Sequence, residues 1–163
     1  MRIYLVTDEG LLLGKDLYRT VEAAVKGGVS MVQLREKESS TREFIERAIR
    51  LKEVLTPYGV PLIINDRVDV ALAANADGVH VDKAICPTRW LSGYCRGKII
   101  GLSVESPEQV LEANDYDLDY VAASPVFSTT TKTNTIVEWG LTACAGSGPF
   151  PPFVSCHRGN PSR

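Results

Sequence analysis

Four cysteines, Cys86, Cys95, Cys144 and Cys156, form neither a CxxC pair nor a disulfide-like framework. His157 follows Cys156, but no second ligand pair at zinc spacing accompanies it, so free thiols in a reducing cytoplasm are expected. Strong charge of one sign is also lacking: the net charge is −2, which argues against nucleic-acid and anionic-membrane partners and makes any basic site local. No long apolar run is present, and the stretch Met1–Asp8 has one basic residue and too few apolar ones for a signal peptide or a membrane span. There is no GxGxxG loop and no Ser-His-Asp or Cys-His arrangement. What is left is an ordinary globular composition, 44% apolar and 23% charged over 163 residues, enough for one well-buried core.

Apolar runs alternate with amphipathic ones. Residues 3–7 read as a strand, and Asp16 caps a helix with Leu17, Val21, Ala24 and Val25 on one face, stopped at Gly27-Gly28. Met31–Lys37 is a second strand, and Ser40-Thr41-Arg42-Glu43 is a capping box opening a helix that breaks at Pro57-Tyr58-Gly59. Further strands are expected at 61–66, 77–81, 98–103 and 119–127, separated by helices at 69–75, 88–95 and after Ser106-Pro107. Continuous apolar strands between helices imply a parallel sheet covered on both sides, either a closed (β/α)8 barrel or an open doubly wound sheet. The polar residues favour the barrel. They lie at or just past the C-terminal ends of several strands, where barrel sites are built, whereas an open sheet concentrates its site at one switch point.

In Met31–Lys37, a period of two puts Val32 and Leu34 on one face and Gln33, Arg35 and Lys37 on the other. A guanidinium fork and an ammonium on one face can grip a diphosphate; a solvated edge strand paired with Glu36 and Glu38 accounts for them equally well. Asn65-Asp66 can supply an amide to phosphate and a carboxylate to Mg²⁺, or simply the turn chemistry before a helix. His80 inside an apolar strand is either a satisfied core histidine or a ligand contact. Ser103 can donate to phosphate or pack in the sheet. Ser128–Thr133, with Thr129, Thr131 and Lys132, suits a phosphate or requires no more than solvent.

Several runs occur in order: Val32-Gln33-Leu34-Arg35-Glu36-Lys37, Ile64-Asn65-Asp66, Ala76-Asp77-Gly78-Val79-His80, Ile100-Gly101-Leu102-Ser103, Ser124–Lys132 and Trp139-Gly140-Leu141. From residue 3 to about Leu141 this set resembles the thiamine-phosphate synthase (thiamine-phosphate pyrophosphorylase) family. The resemblance implies a TIM barrel transferase of thiamine diphosphate biosynthesis. Such an enzyme joins hydroxymethylpyrimidine diphosphate to thiazole phosphate, releasing pyrophosphate with Mg²⁺ as cofactor. It further implies that Gln33, Arg35, Lys37, Asn65, Ser103 and Lys132, with Leu34 and Glu36 in the same run, hold the pyrimidine diphosphate. Asp66 would bind Mg²⁺, His80 would lie near the pyrimidine, and Thr129 and Thr131 would face the thiazole phosphate. Arg35, Lys37 and Lys132 would neutralise the departing diphosphate. The partners implied are small molecules in the cytoplasm. A related thiazole tautomerase, or a non-catalytic fragment, is the alternative.

Two departures from the family pattern stand out. Where the family carries Gly-Gln-x-Asp after the His80 strand, this chain has Asp82-Lys83-Ala84-Ile85, leaving Asp82 as the substitute metal ligand, three residues early. After Leu141 the sequence turns to prolines, glycines and cysteines without periodicity. The expected organisation is therefore residues 1–141 as about six βα units of a truncated barrel and 142–163 as an irregular tail, as a reading-frame shift would produce. Six parallel strands leave open edges, so the chain alone is expected to self-associate into a homo-oligomer, unfold in part or be poorly soluble.

Overall fold

The structure, a computed structural model, describes residues 3–82, 93–123 and 153–155. The chain divides into two compact units, one comprising Met1–His80 with Cys95–Ile99 and the other Val81–Tyr94 with Ile100–Arg163. In the first, strands β1 (Ile3–Val6), β2 (Val29–Leu34), β3 (Leu62–Asn65) and the start of β4 (Gly78–Asp82) pair in parallel in that order. Helices α1 (Leu17–Lys26), α2 (Thr41–Leu55) and α3 (Val68–Ala73) make the crossovers. The expected alternation is present.

Local chemistry sets the helix ends. Asp16 accepts the Arg19 N–H at 2.8 Å to open α1, and Gly28, at φ +106°, turns the chain out of it. The capping box at α2 is reciprocal: Ser40 Oγ accepts from the Glu43 N–H and Glu43 Oε2 accepts from the Ser40 N–H at 2.9 Å. The inner face of α2 buries Phe44, Ala48, Leu51 and Leu55, while β3 contributes Leu62, Ile63 and Ile64 with no accessible surface at all. Being buried on both faces is why β3 reads as an unbroken apolar run.

The N-terminal strand ends are tied by side chains reaching across to the backbone of the neighbouring strand. Ser30 Oγ bonds both the N–H and the carbonyl of Ile3, at 3.1 and 3.2 Å. Asp77 accepts from the Leu62 N–H at 2.9 Å and returns its own N–H to the Leu62 carbonyl at 2.9 Å. Immediately after it, a Cβ on Gly78 would strike the Ile99 carbonyl and the Ile63 side chain. Because Leu62 is wholly buried, Asp77→Ala strands its N–H, and a loss of about 1–3 kcal/mol of unfolding free energy is expected in urea titration, with ligand affinity unchanged. This end of the strands serves stability.

In the second unit, β5 (Ile99–Val104), β6 (Tyr120–Ala123) and β7 (Phe153–Ser155) pair in parallel, with α4 (Pro107–Ala113) between the first two. The same clamp recurs: Asp119 accepts from the Ile100 N–H at 2.7 Å. Gly101 is required where it stands, since a Cβ would enter the Tyr120 ring. Ser106 caps the helix expected after Ser106-Pro107, and the Gln109 side chain accepts from the Glu105 N–H at 2.7 Å. Strand β7 lies within the segment expected to be irregular, and three residues are too few to show a period of two. Most of the helix expected at 88–95, and the extension of β6 to 127, lie outside the described residues.

Candidate active site

The candidate site of the first unit is built where its parallel strands end. In register, Val6 of β1 is level with Gln33 of β2, Leu34 with Ile64 of β3, and Asn65 with His80 of β4. Strand β2 stops at Leu34, so Arg35, Glu36 and Lys37 belong to the segment beyond it, correcting their assignment to the strand. Gln33 is only 4% exposed, and its amide donates to the Tyr4 hydroxyl at 2.6 Å. The polar face is therefore internal and partnered at its strand end. Leu34 is fully buried, and strand alternation turns its side chain away from that of Gln33.

Arg35 is half-buried against the end of β1. Its N–H donates to Thr7 Oγ1 at 3.1 Å, and its guanidinium Nη1 meets Asp8 Oδ2 at 3.2 Å. One contact at that length uses a single corner of the fork, and among the described residues the other guanidinium N–H groups make no ion pair, a geometry suited to an anion. Lys37 is exposed and makes no ion pair among the described residues.

Glu36 turns the other way. Its side chain is 3% exposed, accepting from Arg47 Nη1 at 2.6 Å and from Ser39 Oγ at 2.7 Å. Burial pushes its carboxyl above the ordinary range, as does nearby Glu9, against the opposing pull of Ser39 and Arg47. A carboxyl whose folded value lies above its unfolded one favours the fold most while protonated. That stability is lost as pH rises from the ordinary glutamate value of 4.5 through the raised folded value. Glu36→Gln is expected to remove this part of the pH dependence, as seen in melting temperatures taken across the window.

Asn65 and Asp66 close β3. The Asn65 Nδ2 donates to Asp66 Oδ2 at 2.7 Å, which aims the carboxylate. Asp66 sits at φ +62°, a left-handed conformation uncommon outside glycine. Two backbone bonds hold it there: its N–H donates to the His80 carbonyl at 2.7 Å, and the Arg67 N–H closes a three-residue turn onto the Asn65 carbonyl at 2.7 Å. Arg67 is drawn off by Asp69 and Thr41, at 2.6 and 2.9 Å, fixing the start of α3 against that of α2. His80 is 5% exposed, within β4.

The structure thus brings together Gln33, Arg35, Asn65, Asp66 and His80 on neighbouring strand ends, with Lys37 just beyond. In the second unit, Ser103 lies on β5, level with Ala122, and Asp82 is the last residue of β4. Thr129, Thr131 and Lys132 lie outside the described residues. Sequence reasoning missed Tyr4, Thr7, Asp8 and Arg47. Thr7-Asp8 stands at a C-terminal strand end like the others, and that placement is the signal that finds it. Among the described residues no group of three or more His, Cys, Asp or Glu side chains could hold a metal alone, and no helix is long and apolar enough to cross a membrane.

Comparison with known proteins gives the same reading. The family model described as thiamine monophosphate synthase matches residues 3–146. The chain belongs to this family. It is 52% identical over 143 residues to the thiamine-phosphate synthase of Vibrio parahaemolyticus, covering 86% of this chain and 69% of that one. It is 46% identical over 142 residues to the thiamine-phosphate synthase of Albidiferax ferrireducens, covering 86% and 65%. The solved thiamine phosphate pyrophosphorylase of Pyrococcus furiosus superposes with a TM-score of 0.81 at 34% identity, covering 94% of this chain and 73% of that one. The α/β architecture is therefore that of the family, and the chain spans about two thirds of the length of these curated relatives.

Proposed function

We propose that this chain carries out the thiamine-phosphate synthase reaction. In it, hydroxymethylpyrimidine diphosphate loses pyrophosphate, and the thiazole phosphate nitrogen bonds to the carbon left behind, giving thiamine phosphate. The observation that carries the proposal is the gathering of Gln33, Arg35, Asn65 and Asp66 on adjacent parallel strand ends in a member of this family. Breaking the carbon–oxygen bond places negative charge on the leaving diphosphate. The free corners of Arg35, the ammonium of Lys37 and, by resemblance, Lys132 offset that charge. Gln33 and Asn65 supply amides to phosphate oxygens and His80 a ring nitrogen toward the pyrimidine, and by resemblance Ser103 supplies a hydroxyl. Thr129 and Thr131 serve the second phosphate. No protein nucleophile is needed.

The donor set fits Mg²⁺. One carboxylate, Asp66, is aimed by an amide at a strand end next to phosphate-binding cations. Magnesium is typically held by one or two carboxylates plus substrate phosphates and water, so a complete protein cage is not required. Asp66 would hold the ion, with Asp82 the second candidate; when bound, it supplies further neutralisation of the leaving group. The fold of this reading is a (β/α)8-type barrel truncated to about six βα units, operating in the cytoplasm on small molecules, in a homo-oligomer.

Pyrophosphate release on mixing the two substrates with Mg²⁺ tests the proposal. Release that requires both substrates supports it. Proton exchange on the thiazole without pyrophosphate would show tautomerase chemistry, and no reaction of either kind a non-catalytic fragment.

A further inference from the structure

We propose that Arg47 is a positioning residue for the phosphate grip: clamped between Glu9 and Glu36, it fixes the segment from which Arg35 and Lys37 project. The inference rests on reading Arg35 and Lys37 as diphosphate ligands. A single nitrogen, Arg47 Nη1, contacts Glu9 Oε1 at 2.9 Å and Glu36 Oε2 at 2.6 Å. The three residues come from the turn after β1, the segment after β2 and the second turn of α2. One guanidinium therefore joins the two strand-end segments to the helix behind them.

The energetics make this clamp consequential for its neighbours. The Glu36 side chain is 3% exposed, and removing Arg47 would leave its carboxylate with Ser39 as its remaining partner among the described residues. A buried charge that loses its counter-ion is strongly destabilised and is relieved either by taking up a proton or by swinging outward, and in both cases the tie between this segment and α2 is gone. Arg35 and Lys37 flank Glu36 directly and would move with the segment. From the other side, Arg35 is tied to Thr7 and Asp8, so the segment is held at two points and Lys37 takes its place from both. Displacement of a binding group by about 1 Å is enough to cost up to 10²-fold in a reaction governed by positioning. Arg47 also borders a cavity of about 360 Å³ with Leu12, Leu17 and Tyr18, so a shorter side chain there leaves space and forces no repacking.

The test is calorimetric titration with inorganic pyrophosphate in the presence of Mg²⁺. It compares the wild type with Arg35→Ala, Arg47→Gln, Arg47→Lys, Glu9→Gln and the double variant Glu9→Gln/Arg47→Gln. Arg47→Gln is expected to weaken pyrophosphate about tenfold. Arg47→Lys should recover part of the loss, because an ammonium can still bridge two carboxylates. The double variant should bind no more weakly than Arg47→Gln alone, since Glu9 acts through Arg47. Wild-type affinity in Arg47→Gln, with affinity lost in Arg35→Ala, overturns the positioning role and leaves the phosphate grip standing. No pyrophosphate binding by the wild type overturns both. Should Arg47→Gln melt far below the wild type, Glu9→Gln decides: its carboxylate is half exposed, a loss of about twofold to threefold is expected, and unchanged affinity overturns the proposal.

Discussion

Arg35→Ala is expected to lower kcat/KM for the pyrimidine diphosphate by about 10²–10³-fold, the cost of removing one well-placed donor from developing charge. The same change should barely move the melting temperature. What Arg35 gives the fold is one 3.2 Å contact to Asp8, the two side chains 19% and 30% exposed, worth about 1 kcal/mol, and a backbone bond to Thr7 that alanine keeps. Steady-state kinetics beside thermal melts check both halves. A fall in activity matched by an equal fall in stability would assign Arg35 to the scaffold.

Replacing Asp66 separates stability from function more sharply. Its left-handed backbone at φ +62° is imposed by the His80 carbonyl and the turn across Asn65 and Arg67, and a non-glycine residue there carries about 1–2 kcal/mol of strain. Asp66→Gly relieves that strain, so its unfolding free energy should equal or exceed the wild type's by about 0.5–1 kcal/mol. Asp66→Ala keeps the strain without the local hydrogen bonding of aspartate and should melt below both. Either change removes the carboxylate, and Mg²⁺-dependent turnover should fall by about 10²-fold or more. Strain retained at a strand end beside the proposed phosphate ligands is what a functional position looks like. A glycine variant that is less stable than the wild type, or as active, would remove that reading.

How far the sequence anticipates these positions follows from the range of the interactions involved. The helix starts at Asp16 and at Ser40 with Glu43, and the stop at Gly27-Gly28, are legible because each bond spans three or four residues. Strand β3 is legible because burial on both faces leaves an unbroken apolar run. The polar face of Gln33, Arg35 and Lys37 is marked correctly as unusual, but its partners are not. The Gln33 amide is satisfied by Tyr4 from another strand, and β2 ends before Arg35. Glu36 illustrates the limit best. Its neighbours in sequence suggest a surface residue, and only the fold brings Arg47, eleven residues on, against it. Asn65-Asp66-Arg67 reads as turn chemistry, which it is; the left-handed twist comes from the tertiary bond to His80. The strand Phe153–Ser155 is set by pairing with β6, in a segment whose composition signals none.

Quantifying both products of one reaction tests the central claim most directly. The chain is supplied with hydroxymethylpyrimidine diphosphate, thiazole phosphate and Mg²⁺, and thiamine phosphate and pyrophosphate are measured together over time. The expected result is equal amounts of the two, with neither formed when either substrate or the metal is withheld. Pyrophosphate released without thiamine phosphate, or no product of either kind from a folded chain that binds pyrophosphate, would contradict it.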